Sequence, residues 1–150
     1  MTTVHNPNNW HWMEKNCIPW AKNYFEENLP KVTITDNDKI ISVNSVSSLT
    51  GDCDVTQRKG KVKCLFELKI EFVAEIKGED DVVEKVTIVL PEFEHDYDES
   101  DFKFQIKTSN LEHKSLLDKK LIPAVVESVF LKFQPELIST HEKDLKHNTD

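Results

Sequence analysis

The stretch KVKCLFELKIEFVAEIK, residues 61–77, carries two interleaved chemistries. Val62, Cys64, Phe66, Leu68, Ile70, Phe72, Ala74 and Ile76 share one parity, and Lys63, Glu67, Lys69, Glu71, Glu75 and Lys77 share the other. Successive side chains of a β-strand point to opposite faces, so this period of two predicts one long strand with a buried and a wet side. GEDD, 78–81, reads as a turn. VVEKVTIVL, 82–90, then reads as a second strand, with Val82, Val86, Ile88 and Leu90 on one face. DFKFQIK, 101–107, alternates Phe102, Phe104 and Ile106 with polar residues, and KVTITD with KIISVNSVSSL, 31–49, is β-rich upstream. Together these predict an antiparallel meander of about four strands.

The period changes outside the meander. Ile18, Ala21, Tyr24, Phe25 and Leu29 recur at helical spacing behind Asn16, a capping residue type, and Pro30 ends the run, which predicts a helix at about 17–29. After Asn110, a stripe from Leu117 to Ile138 returns to helical spacing. Ser115 and Asp118 are placed to cap its start, and Pro123 and Pro135 predict a kinked helix or two in sequence. A sheet with one apolar face needs a cover. The expected fold is α+β: an N-terminal helix, a four-stranded antiparallel meander sheet, and the C-terminal kinked helix or helices packed on one face. The 150 residues suit a single domain, 1–150.

Charge and composition narrow the function. The net charge of −8 disfavours nonspecific nucleic acid and anionic membrane surfaces, and favours basic patches on other proteins. No apolar run approaches a membrane span, and MTTVHNPNN lacks a signal-peptide core. Three cysteines without a CxxC spacing read as reduced thiols, so the expected location is cytoplasmic. Three glycines are too few for a phosphate-binding loop, and no Cys/His grid suggests zinc. The six histidines read as solvated surface residues. EHDYDESD, 94–101, reads as a solvated acidic loop before it reads as a weak metal site. Neither a catalytic set nor a cofactor is expected.

Two stretches remain. GDCDVTQRKGKVK, 51–63, gathers Arg58, Lys59, Lys61 and Lys63 in an acidic chain, and reads either as a solvated loop guarding a strand entrance or as a docking site that includes Asp52 and Asp54. NPNNWHW, 6–12, places Trp10 and Trp12 in an asparagine-rich leader, either packed back on the domain or offered to a partner.

The leader, Asn16-Cys17 with Trp20-Ala21-Lys22, SVSSLTGDCDVTQRKGKV and the ending LIPAVVESVFLKFQPELISTHEKDL together resemble the N-terminal domain of the activator of heat-shock protein 90 ATPase family, the Aha and Hch co-chaperones. The resemblance covers essentially the whole chain, and PEFEHDYDESDF, 91–102, is closer to the short, single-domain Hch-type members, the alternative being an excised domain of a longer member. It implies a co-chaperone that binds the chaperone's middle domain and stimulates its ATPase by favouring the closed conformation, without catalysis of its own. The chain is expected to be a monomer when free. By motif, the partner-binding residues are Arg58, Lys59, Lys61, Asp52 and Leu65, while Lys63 departs from the aliphatic residue of a longer relative. Asn6, Asn8, Asn9, Trp10, His11 and Trp12 match a leader that modulates nucleotide handling, with contacts toward the chaperone's N-terminal domain. The alternative is a small-ligand-binding or general protein-interaction module without chaperone activity.

Overall fold

The computed structural model describes residues 13–58 and 60–149. Among them, β1 (Met13–Asn16), β2 (Thr33–Asp36), β3 (Lys39–Arg58), β4 (Lys61–Lys77), β5 (Val83–Glu94) and β6 (Gln105–Lys107) form one six-stranded antiparallel sheet. The order is β1-β3-β4-β5-β6, and β2 pairs with the same edge of β3 as β1 does, further along. Helix α1 (Ile18–Asn28) bridges β1 and β2. A C-terminal helix, residues 111–149, runs across the sheet.

The parity of residues 61–77 is realised: Cys64, Phe66, Leu68, Ile70, Phe72, Ala74 and Ile76 are buried, and Lys61, Lys63, Leu65, Glu67 and Lys69 are exposed. The strand count is six rather than four. β1 spans four residues, too short for alternation to register, and the β-rich region 31–49 divides into β2 and β3; β6 falls inside the alternating 101–107 but keeps only Gln105–Lys107. β3 is the larger correction: it continues through Gly51–Arg58, so most of the basic stretch is strand, not loop. Val82 lies outside β5 and is exposed, because the turn extends one residue further than expected.

β3 bends to stay on the core. Register shifts fall between Val43 and Ser45 and between Val46 and Ser48, and Gly51 has φ of +120°. Extra residues on one strand raise local twist and blunt an exposed edge. β5 takes up Pro91 at a similar irregularity, where the pairing moves from Leu68–Phe93 to Ile70–Leu90; a residue without an N–H is tolerated where the ladder is broken.

Asn16 does turn the chain into α1, its Oδ1 accepting the Ile18 N–H at 2.9 Å. The C-terminal helix starts earlier than expected. Asn110 caps it, accepting the His113 N–H at 3.1 Å, whereas Ser115 lies exposed inside the helix. The helix is not broken at Pro123; π turns at Leu117–Leu121 and Val126–Phe130 carry it through. These turns have a packing consequence. Leu117, Leu121, Val125, Val129, Phe133 and Leu137 are buried at intervals of four. In a regular helix a four-residue interval drifts by about 40° per turn. A π turn absorbs the extra residue and returns the stripe to the sheet.

Phe25, Phe72, Phe130 and Phe133 fill the layer between helices and sheet. Phe133 lies 5.0 Å from Phe25, 5.0 Å from Phe66 and 5.3 Å from Tyr24 between ring centres, which is normal aromatic packing. Among the described residues, no helix covers the opposite face of the sheet.

Candidate functional site: the open face of the β3–β4 hairpin

β3 and β4 meet at residues 59–60, where Gly60 has φ of +79°. Glycine reaches that left-handed region at little cost, which permits the tight connection. The register that follows pairs Arg58 with Lys61, Thr56 with Lys63, Asp54 with Leu65 and Asp52 with Glu67. Residues directly opposite each other have Cβ atoms about 4.5–5.5 Å apart and share a face. Leu65 is 56% exposed between the buried Cys64 and Phe66, so this row faces away from the core.

Three sequence-nominated residues, Asp52, Lys61 and Leu65, therefore lie on one uncovered surface, with Arg58 at the register position beside Lys61. Lys59 lies outside the described residues. So do Asn6, Asn8, Asn9, Trp10, His11 and Trp12. The described chain begins at Met13, opposite Gln57, which attaches the leader at the same end of the sheet as Arg58 and Lys61.

Pairing also adds residues that the sequence reading passed over. β1 sets Glu14 beside Thr56 and Asn16 beside Asp54, while β5 sets Glu94 against Glu67. Glu67 and its row were recoverable in principle: once the turn is placed at 59–60, the opposite pairs from Arg58–Lys61 back to Ser48–Glu71 all sum to the same number. β1 was not, since MEKN shows no pattern.

The charges are arranged against folding stability. Asp52 lies opposite Glu67 across the ladder, and Glu67 in turn lies opposite Glu94. Like charges directly opposite destabilise a sheet. Among the described residues, no ion pair within 4.0 Å engages Asp52, Asp54, Lys61, Lys63 or Glu67; the pairs formed are Lys39–Glu112, Lys77–Asp81, Lys85–Glu75 and His113–Glu84. Among the described side chains, the hairpin end presents Lys61 and Lys63, the apolar Leu65 and the acidic Asp52 and Glu67.

Directly beneath lie three buried thiols, Cys17, Cys53 and Cys64. Burial, then the neighbouring Cys17, pushes the Cys53 thiol up to about 12, and burial followed by Asp96 pushes Cys64 to about 11. Cys17 Sγ lies 3.3 Å from His141 Nε2. His141 is 7% exposed, which corrects the expectation of a surface histidine. It continues the four-residue series that runs from Leu117 to Leu137, and that signal was present in the sequence. His113 and His95 are also engaged, with Glu84 and with the Phe66 carbonyl. Among the described residues no group of three or more His, Cys, Asp or Glu side chains is placed to hold a metal ion.

Residues 14–141 match the family model described as activator of Hsp90 ATPase, N-terminal. The chain is 40% identical to the Hsp90 co-chaperone AHA1 of Saccharomyces cerevisiae over 156 aligned positions, covering 95% of this chain and 44% of that protein. It is 35% identical to the Hsp90 co-chaperone HCH1 of the same yeast, covering 95% of this chain and 98% of that protein. The chain thus spans under half of the first relative and nearly all of the second. The crystal structure of Aha-1 from Plasmodium falciparum superposes with a TM-score of 0.74 at 25% identity, covering 90% of this chain and 93% of that one. The solution structure of the human Aha1 N-terminal domain shares the fold, with a TM-score of 0.56 at 16% identity over 77% of this chain and 83% of that one.

Proposed function

Because this chain belongs to the activator of Hsp90 ATPase, N-terminal family, we propose that it is a cytoplasmic Hsp90 co-chaperone that binds the chaperone's middle domain and stimulates ATP hydrolysis by favouring the closed conformation. It acts as a monomeric adaptor and catalyses nothing itself. The observation that carries this reading is the hairpin register, which brings Asp52, Leu65 and Lys61 onto one exposed face without ion pairs among the described residues. Arg58, Lys59 and Lys61 steer and orient docking through long-range attraction, which raises the association rate more than the final affinity. Leu65 supplies the desolvated anchor, and Asp52 pairs with a cation on the same partner surface.

Activation requires only that the closed chaperone bind this face more tightly than the open one does. Coupling of about 1–3 kcal/mol between two sites is common and changes an equilibrium constant by roughly 5- to 150-fold. Asn6, Asn8, Asn9, Trp10, His11 and Trp12 extend the contact toward the nucleotide end of the chaperone.

The test is a coupled ATPase assay of Hsp90 with and without the purified chain. Faster turnover with chaperone, and none by the chain alone, is expected. An unchanged chaperone rate at saturating chain would refute the assignment. Deleting residues 1–11 separates the two roles: stimulation should fall further than middle-domain binding.

The small-ligand alternative loses support from the core. The space between sheet and helices that a ligand would need is occupied by Phe25, Phe72, Phe130 and Phe133.

A further inference from the structure

The sulfur cluster behind the hairpin is not used by the docking face. We propose that Cys17 and Cys53 are an oxidisable thiol pair, with His141 as the base for Cys17, and that a hydroperoxide converts them to a disulfide between the β1–α1 junction and β3.

The geometry selects the pair. β1 and β3 run antiparallel with Asn16 opposite Asp54, and the Cys17 N–H continues the ladder by donating to the Cys53 carbonyl at 2.6 Å. Cys17 and Cys53 are therefore directly opposite, and both side chains enter the core. Opposed Cβ atoms about 4.5–5.5 Å apart lie close to the roughly 3.5–4.5 Å that a disulfide needs. Cys64 stands opposite Val55, one diagonal away from Cys53, at a spacing of about 7–8 Å between α-carbons.

His141 is oriented for the task. Its Nδ1–H donates to the Leu137 carbonyl at 2.7 Å, which turns Nε2 toward Cys17 Sγ at 3.3 Å; the same thiol also reaches the Lys15 carbonyl at 3.5 Å. Trp20 holds the ring edge-on at 6.1 Å. Cys53 keeps its proton under burial and waits as the resolving thiol. The pair lies at the outer edge of the sheet beside the four-residue β1, where local opening costs least, and hydrogen peroxide is scarcely larger than water.

The steps balance. His141 takes the Cys17 proton, and the thiolate attacks peroxide; the S–O bond forms, the O–O bond breaks, and the leaving hydroxide recovers the proton from His141 as water. Cys53 sulfur then attacks the Cys17 sulfenic sulfur; the S–S bond forms, the S–O bond breaks, and the departing hydroxide takes the Cys53 proton. Two thiols lose two electrons and one peroxide becomes two waters.

The folded protein is treated with hydrogen peroxide, quenched with an alkylating reagent and mapped by mass spectrometry. The expected product links Cys17 to Cys53 and leaves Cys64 alkylated. Cys53→Ser should stop at a Cys17 sulfenic acid trapped by dimedone, and His141→Gln should slow oxidation by tenfold or more. A Cys53–Cys64 or intermolecular link as main product, or three untouched thiols where a urea-unfolded control oxidises, overturns the pair. Equal rates for His141→Gln and the parent remove His141 as the base. The parent map decides even where a variant misfolds, and none of these readouts depends on Hsp90.

Discussion

A methyl group placed on Gly51 would lie 2.1 Å from the carbonyl oxygen of Glu67 on the neighbouring strand, and Gly51 itself has φ of +120°. The side-chain-free bend at Gly51 is what lets β3 pass β4 and carry Asp52 onto the open face opposite Glu67. The obstructing atom is backbone, so it has no rotamer to move into. Gly51→Ala should therefore destabilise the fold severely, by about 3 kcal/mol or more on adding backbone strain to overpacking. Urea unfolding checks this, and a loss below about 1 kcal/mol would mean that the bend relaxes freely.

The Tyr24 hydroxyl donates to the carbonyl of Val129, 2.6 Å away inside a π turn of the C-terminal helix. This is a polar tie between the two helices. Tyr24→Phe removes this hydrogen bond and should cost about 0.5–1.5 kcal/mol in urea unfolding. The phenol also gives a pH signature. Burial first, then Glu136, raises its pKa above the usual value. A raised folded pKa contributes stability that is complete below the unfolded pKa of about 10 and is lost as pH rises through the folded one. Stability should thus fall on alkalinisation beyond about pH 10, and less steeply in Tyr24→Phe.

Leu65 is 56% exposed and packs on little. Leu65→Ser should leave the unfolding midpoint nearly unchanged, within about 0.5 kcal/mol. Affinity for the isolated Hsp90 middle domain should fall by about 1–2 kcal/mol, the scale of a central apolar contact. Calorimetric titration measures it, and loss of stability without loss of binding would remove Leu65 from the interface.

The cationic tip should act through charge. Arg58→Ala with Lys59→Ala is expected to slow association with the middle domain at low salt. At high ionic strength the difference should shrink, because exposed charges are screened over about 8–10 Å near physiological salt. Stopped-flow association at two salt concentrations checks it; rates equal to the parent at both would exclude the tip.

Legibility followed the range of the interactions. The parity of residues 61–77, the two helices and the chemistry of the hairpin stretch are local patterns, and each was readable before any coordinates. The aromatic filling of the core was also foreseeable from Phe66, Phe72 and Phe133 at periodic positions. His141 was misread because a lone polar residue looks solvated unless the four-residue series before it is extended. Ser115 was misread as a cap because several polar residues compete near a helix start, and Asn110 wins where its carboxamide can reach the His113 N–H.

By itself the sequence determined the α+β class, the buried and wet sides of the long strand, and which residue types stand near the glycine at 60. Only the tertiary structure decided that Gly51–Arg58 continues β3, that Asp52, Leu65 and Lys61 share one face, and that the end of β1 delivers Cys17 to Cys53 and His141. Periodicity is a property of neighbours along the chain. Cross-strand register and the pairing of a four-residue edge strand depend on contacts between segments far apart in sequence, whose entropy cost is met only when the core forms.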